Sequence, residues 1–170
     1  MPVEISVQRT ARKNPKAKTL TKRIPKKVAS HFHALGLTDP ELSIVLTDDA
    51  EIRELNREWR GEDESTDVLS FPLWEPFQFD ESQPDAALGD IVISLETAER
   101  YAATLGHRDR VAESLAVPAA SLQWSFEDEV DFLVIHGLLH LLGHDHLESE
   151  DEDRMRAEER RLWLASREVG

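Results

Sequence analysis

His136, His140 and His146 sit in the stretch IHGLLHLLGHDH, residues 135–146, with Gly143 between the second and third. Two histidines four residues apart lie on one face of a helix, so their rings can converge on a single point. A glycine three residues further on can take the left-handed conformation that ends a helix. The chain can then turn back and bring a third ring to the same place. Three neutral imidazoles with a fourth position left open is how proteins hold a catalytic zinc. His136 and His140 also interrupt an apolar run that includes Phe132, Ile135, Leu139 and Leu142, where an unpaired polar ring is costly. A satisfied core histidine accounts for one such residue. Two at helical spacing, a glycine stop and more histidine beyond it fit a metal site better. His144 competes for the third ligand position, and the glycine offset favours His146, leaving His144 as a neighbour.

The same ligand spacing belongs to the metzincin metalloproteases. Those enzymes carry glutamate directly after the first histidine, as general base for water. Here that position is Gly137. Amide hydrolysis needs help in deprotonating water and in protonating the leaving amine. A phosphodiester makes different demands, because a cation and an arginine can stabilise charge spread over phosphate oxygens. The missing glutamate argues against a peptidase.

The segment HGLLHLLGHDH resembles the signature HGxLHLxGYDH of the YbeY family of bacterial rRNA-maturation endoribonucleases. Residues 55–72, LNREWRGEDESTDVLSFP, resemble that family's LNxxYR…TDVLSFP segment. LGDIVIS at 88–94 and Met155 in a charged helix continue the match in the family's order, from about Leu42 to Leu164. Three features depart from the pattern. His144 stands where the family has Tyr, the connection 107–124 is longer than usual, and residues 9–27 are unusually basic. The resemblance implies a single-strand-specific, metal-dependent endoribonuclease acting in maturation of the 16S rRNA 3′ end and in ribosome quality control. It implies one zinc ion on His136, His140 and His146, and a catalytic role for Arg60, whose guanidinium fork suits two phosphate oxygens. It also implies single-stranded RNA and rRNA as partners, with contact to the small ribosomal subunit and ribosome-assembly factors. The alternatives are a zinc metallopeptidase, another zinc hydrolase, or a non-catalytic zinc-containing ribosome-assembly factor with His144 closing the site. Imidazoles also accept nickel, copper or iron, so the native metal stays open.

A length of 170 residues with 40% hydrophobic content suits one domain, expected to span 1–170. The chain has no cysteine, so a thiolate zinc site is impossible and any metal must use histidine or carboxylate. No apolar leader or membrane-length run appears, and a cytoplasmic protein without membrane contact is expected. The net charge of −14 is unevenly spread. Residues 9–27 hold nine basic residues and no acidic one, so removing their nine charges leaves −23 on the remainder. Glu148–Asp153 has five acids in six residues. A basic arm on an acidic body would give one RNA-facing side; a solvated segment without a partner is the other reading.

The elements that must position these residues can be read in order. VEISVQ (3–8) alternates as a half-buried strand does. Val28, Phe32 and Leu35 recur at helical spacing before a stop at Gly36. LSIVL (42–46) reads as a strand. Asp48 and Glu51 resemble a capping box opening a helix that buries Ile52, Leu55 and Trp59, with Arg60 in its last turn before Gly61. DVLSF (67–71) and DIVIS (90–94) are two more strands, joined by an irregular segment holding Pro72, Pro76 and Pro84. A helix over Leu95–Leu105 should stop at Gly106. The histidine helix should start near Ser125, with Asp128 as cap partner. A last helix, capped by Ser149 and Glu152, carries Met155, Glu159 and Leu162 along one side. The expected fold is α+β: a small mixed sheet of about four strands covered by helices, with a central histidine-bearing helix as in metalloproteases.

Overall fold

A computed structural model describes residues 3–8, 11–73, 87–145 and 148–167. Four strands form one mixed sheet: β1 (Val3–Val7), β2 (Leu42–Thr47), β3 (Val68–Pro72) and β4 (Gly89–Ser94). Their spatial order is β1-β2-β4-β3. β2 runs parallel to both β1 and β4, with Ile44 opposite Ile5 and Ile91. β3 closes the far edge antiparallel to β4, with Leu69 opposite Val92.

The strands' alternation divides their side chains between two faces. Ile44, Leu46, Ile91 and Ile93 enter the main core, where they meet α1 (Ala17–Ala34), α5 (Phe126–Leu141) and α6 (Ser149–Arg167). Leu69 and Val92 form a smaller cluster with Ile52 of α2 (Asp49–Arg60) on the opposite face. α3 (Leu95–Thr104) and α4 (Gly106–Leu115) follow β4 and pack against α5.

α5 is the centre of the molecule. Ser125 caps it by accepting from the Asp128 amide, and the Asp128 carboxylate accepts in return from the Ser125 amide. This reciprocal box satisfies two donors that a bare helix start would leave unpaired. Glu127, Asp128 and Glu129 in the first turn complement the helix dipole. Beyond that turn the helix is buried nearly all round, as a helix apolar on every side must be.

Several expectations need correction. Trp59 is 66% exposed and does not join Ile52 on the buried side of α2; its ring lies edge-on to Phe71, 6.2 Å between centroids. Gly106 does not stop α3. Leu105 takes the left-handed turn at φ 62°, and Gly106 opens α4. Within the basic stretch 9–27, residues 17–27 are helical and form the first part of α1, with Leu20, Ile24 and Val28 in the core. The connection 107–124 is ordered as most of α4 and a short 3-10 turn at Ala119–Ser121. Pro76 and Pro84 lie outside the described residues. Among the described residues no helix is long and apolar enough to cross a membrane.

Candidate metal centre

His136 and His140 stand one turn apart near the C-terminal end of α5. Their ring planes are almost perpendicular, at 79°, and their Nε2 atoms approach to 3.1 Å. A tetrahedral zinc with Zn–N bonds of about 2.0–2.1 Å separates two ligand nitrogens by about 3.3 Å. The pair is therefore already spaced to share a cation.

The other nitrogen of each ring decides which atom faces the gap. His140 Nδ1 lies 2.9 Å from the His144 carbonyl oxygen. A carbonyl can only accept, so Nδ1 carries the proton and Nε2 offers a lone pair. His136 Nδ1 lies 3.2 Å from Glu159 Oε1. Burial works to raise the Glu159 pKa, but hydrogen bonds from His136 and Arg110, with the Arg110 charge, outweigh it and hold the carboxyl below its ordinary value. Glu159 is thus a carboxylate and accepts from His136, whose Nε2 also offers a lone pair. A carboxylate or carbonyl holding the outer N–H of a histidine is the usual support of a metal ligand.

Glu159 is 4% exposed and is itself gripped by Arg110, through Nε at 3.0 Å and Nη2 at 3.2 Å. The chain of contacts runs from α4 through α6 to α5. Neither Glu159 nor Arg110 stood among the expected site residues. A glutamate in register with Met155 and Leu162 on a buried helix side was the available signal.

α5 ends at Leu141, and Gly143 at φ 91° turns the chain back. The amides of Gly143 and His144 donate to the carbonyls of His140 and Leu139, each at 3.0 Å. This is the expected helix stop. It makes the His144 backbone, through its carbonyl, an orienting group for His140. His146 lies outside the described residues. Among the described residues no group of three potential ligands surrounds one point. The structure thus brings together two of the three expected histidines.

Arg60 is the last residue of α2, before Gly61 in the left-handed conformation. Its Nη2 donates to the Ser70 carbonyl at 3.2 Å, and the Ser70 hydroxyl donates to the Gly137 carbonyl at 3.0 Å. One residue of β3 therefore links the arginine to the histidine helix. Arg60, Asp67, Ser70, Tyr101, His136 and His140 line one cleft of about 540 Å3. Asn56 supports the loop beside it, donating from Nδ2 to the Glu64 carbonyl at 2.9 Å.

Gly137 explains the absent glutamate. A Cβ there would lie 2.9 Å from Ile91 Cγ2 and 3.2 Å from the Ser70 hydroxyl. The helix touches the sheet at this residue, and the position that carries the metzincin base has no room for a side chain. The peptidase alternative is not favoured.

A family model described as Endoribonuclease YbeY matches residues 4–166. A protein named Endoribonuclease YbeY from Anaeromyxobacter sp. (strain Fw109-5) is 43% identical over 162 residues, covering 95% of this chain and 73% of the relative. One of the same name from Aquifex aeolicus (strain VF5) is 42% identical over 139 residues, covering 82% and 78%. The solution structure of TM1509 from Thermotoga maritima shares the fold, with a TM-score of 0.54 at 24% identity over 98% of this chain and 92% of that one. Histidines paired on a buried helix, an arginine across the same cleft and relatives that match over most of their length lead to one assignment: this chain belongs to the YbeY endoribonuclease family.

Proposed function

We propose that residues 1–170 form a single metal-dependent endoribonuclease domain that cuts single-stranded RNA. Its role is in rRNA processing at the 3′ end of 16S rRNA and in ribosome quality control. In this reading His136, His140 and His146 hold one zinc ion and Arg60 is the catalytic arginine. Contact with the small ribosomal subunit and its assembly factors, in the cytoplasm, belongs to the same proposal.

The observation that carries it is the pair of Nδ1 hydrogen bonds, which turns both Nε2 lone pairs toward one gap 3.1 Å wide. Neutral imidazoles suit a borderline cation such as zinc. When bound, such an ion supplies Lewis acidity and lowers the pKa of a water molecule to about 7.

The chain's own residues do the rest. Glu159 and the His144 carbonyl hold the protons on Nδ1, which leaves Nε2 of each neutral ring as the ligand atom. Arg60 reaches the cleft wall from a fixed helix end and presents its fork to non-bridging phosphate oxygens. Glu62, Glu64 and Asp67 line the same cleft. Their charge disfavours a phosphate near that acidic wall and leaves Arg60 as the cationic side chain of the cleft toward which a phosphate is drawn.

Elemental analysis of the purified protein, with a single-stranded RNA cleavage assay with and without chelator, tests this reading. His140→Ala should lose both metal and cleavage. A metal-free variant that still cleaves RNA at the wild-type rate overturns it.

A further inference from the structure

All six lysines of the chain lie between Lys13 and Lys27, and the 143 residues that follow contain none. Lys27 is buried and donates to the Ser166 carbonyl at 2.7 Å. The other five are exposed. Lys18, Lys22 and Lys26 recur every fourth residue on α1, about 6 Å apart along the axis. That step is comparable to the one between successive phosphates of a nucleic-acid strand. Arg12, Lys13 and Lys16 continue the charge past the N-terminal end of the helix, and α1 itself has no acidic residue.

Most of the remaining cations of this acidic protein are paired with carboxylates. Arg53, Arg57, Arg100, Arg110, Arg156 and Arg161 are all within ion-pair distance of carboxylates. Arg23 of α1 turns inward to Asp131, at 2.7 Å. Among the described residues, none of the five exposed lysines forms an ion pair. On a chain of net charge −14, an unneutralised ridge is a local reversal of sign.

We infer that the exposed lysine ridge of α1, Lys18, Lys22 and Lys26, binds the phosphate backbone of RNA at a surface separate from the cleft. The inference rests on the endoribonuclease reading only for its choice of polyanion. α1 meets α5 near Asp131 and α6 near Ser166, whereas His136 and His140 lie further along α5. An RNA that engages both surfaces is therefore longer than one that fills the cleft. A membrane surface fits less well. A lysine-rich helix lying on lipid needs a free apolar face, and here Leu20, Ile24, Val28 and Phe32 are buried in the core.

The test is the triple variant K18Q/K22Q/K26Q, with K18R/K22R/K26R as the charge-retaining control. Glutamine keeps the helix propensity at exposed positions, and circular dichroism with thermal melting checks the fold. Binding of a long single-stranded RNA is followed by fluorescence anisotropy across a salt series. Each phosphate contact contributes about 0.7 to the slope of log affinity against log salt, so the glutamine variant should lose about 2 from that slope and the arginine variant almost nothing. Cleavage of an oligonucleotide just long enough to fill the cleft should stay at the wild-type rate. An unchanged slope overturns the inference, as does a parallel loss of oligonucleotide cleavage. So does a variant that keeps its RNA slope but no longer sediments with phosphatidylcholine–phosphatidylserine vesicles, because the ridge would then serve lipid. A wild-type protein that shows the lysine-dependent slope but cleaves no RNA would sink the nuclease reading and leave the ridge standing.

Discussion

Replacing Glu159 by Gln removes one charge from the centre of the site with almost no change in volume. In the wild type this carboxylate accepts from Arg110 at 3.0 and 3.2 Å and from His136 at 3.2 Å while 4% exposed. An amide keeps one acceptor oxygen, so at least one charge-assisted bond is lost and the Arg110 guanidinium keeps only the more distant Glu152 carboxylate, at 3.5 Å, as counter-ion. Breaking a buried pair by removing one partner costs about 3–5 kcal/mol. Arg110 is still one-fifth exposed, and water can reach it, so roughly 2–3 kcal/mol is the expected loss of stability. For a chain of this length that lowers the melting temperature of the metal-free protein by roughly 4–12 °C. The second effect falls on metal affinity. The glutamine amide can present its NH2 to His136 Nδ1, favouring the tautomer with its proton on Nε2, the atom that should bind. Loss of such an orienting partner typically weakens metal affinity by about 10–100-fold. Competition against a chromophoric chelator measures the affinity, and differential scanning fluorimetry with and without chelator measures the stability. Metal affinity within twofold of wild type alongside a lowered melting temperature would refute the reasoning. Glu159 would then hold α4, α5 and α6 together without orienting a ligand.

Arg60→Ala should reduce kcat/KM for RNA by about 10²-fold, with metal content and melting temperature almost unchanged, because Arg60 is exposed and its one hydrogen bond among the described residues is to the Ser70 carbonyl; a loss of metal or fold would make it a structural residue. Gly137→Ala forces a Cβ against Ile91 and Ser70 and should cost about 1–3 kcal/mol in chemical denaturation; full stability would mean that the helix does not touch the sheet there. His31 is fully buried, and burial, then the charges of Arg167 and Lys27, push its pKa from 6.5 to about 3. Its neutral form belongs to the folded state, so its contribution is complete above pH 6.5 and is lost as pH falls from there through about 3, reaching about 5 kcal/mol in total. His31→Leu should flatten that part of the acid denaturation profile, and equal slopes in the two proteins between pH 6 and pH 4 would remove His31 as a cause.

Features local in sequence were legible before the fold was known. Asp48 and Ser125 were recognisable as helix caps because a cap and its partner lie three residues apart. β1 followed from alternation and β2 from a short apolar run, and the helix stop at Gly143 from the need for a left-handed residue. Contacts between distant segments were not legible. Glu159 reaches His136 across 23 residues, and Arg110 reaches Glu159 across 49; neither pattern has a local signature. Gly137 was visible as a missing base, but the reason lay in Ile91 and Ser70 on two strands. Trp59 misled because α2 is amphipathic, and only its packing on Leu69 and Val92 shows how narrow the covered strip is. Gly106 misled because Leu105 accepts the left-handed conformation usually left to glycine.

Ser70 ties two helices together, one through its backbone and one through its side chain. Its carbonyl is held from one side by the arginine and its hydroxyl is anchored to the histidine helix on the other. The two sides of the cleft therefore share one rivet at the edge of the sheet, and sliding either one strains a hydrogen bond of the same residue. A substrate must supply whatever bending is needed to span them, which a pliable single strand does more cheaply than a stiff paired one.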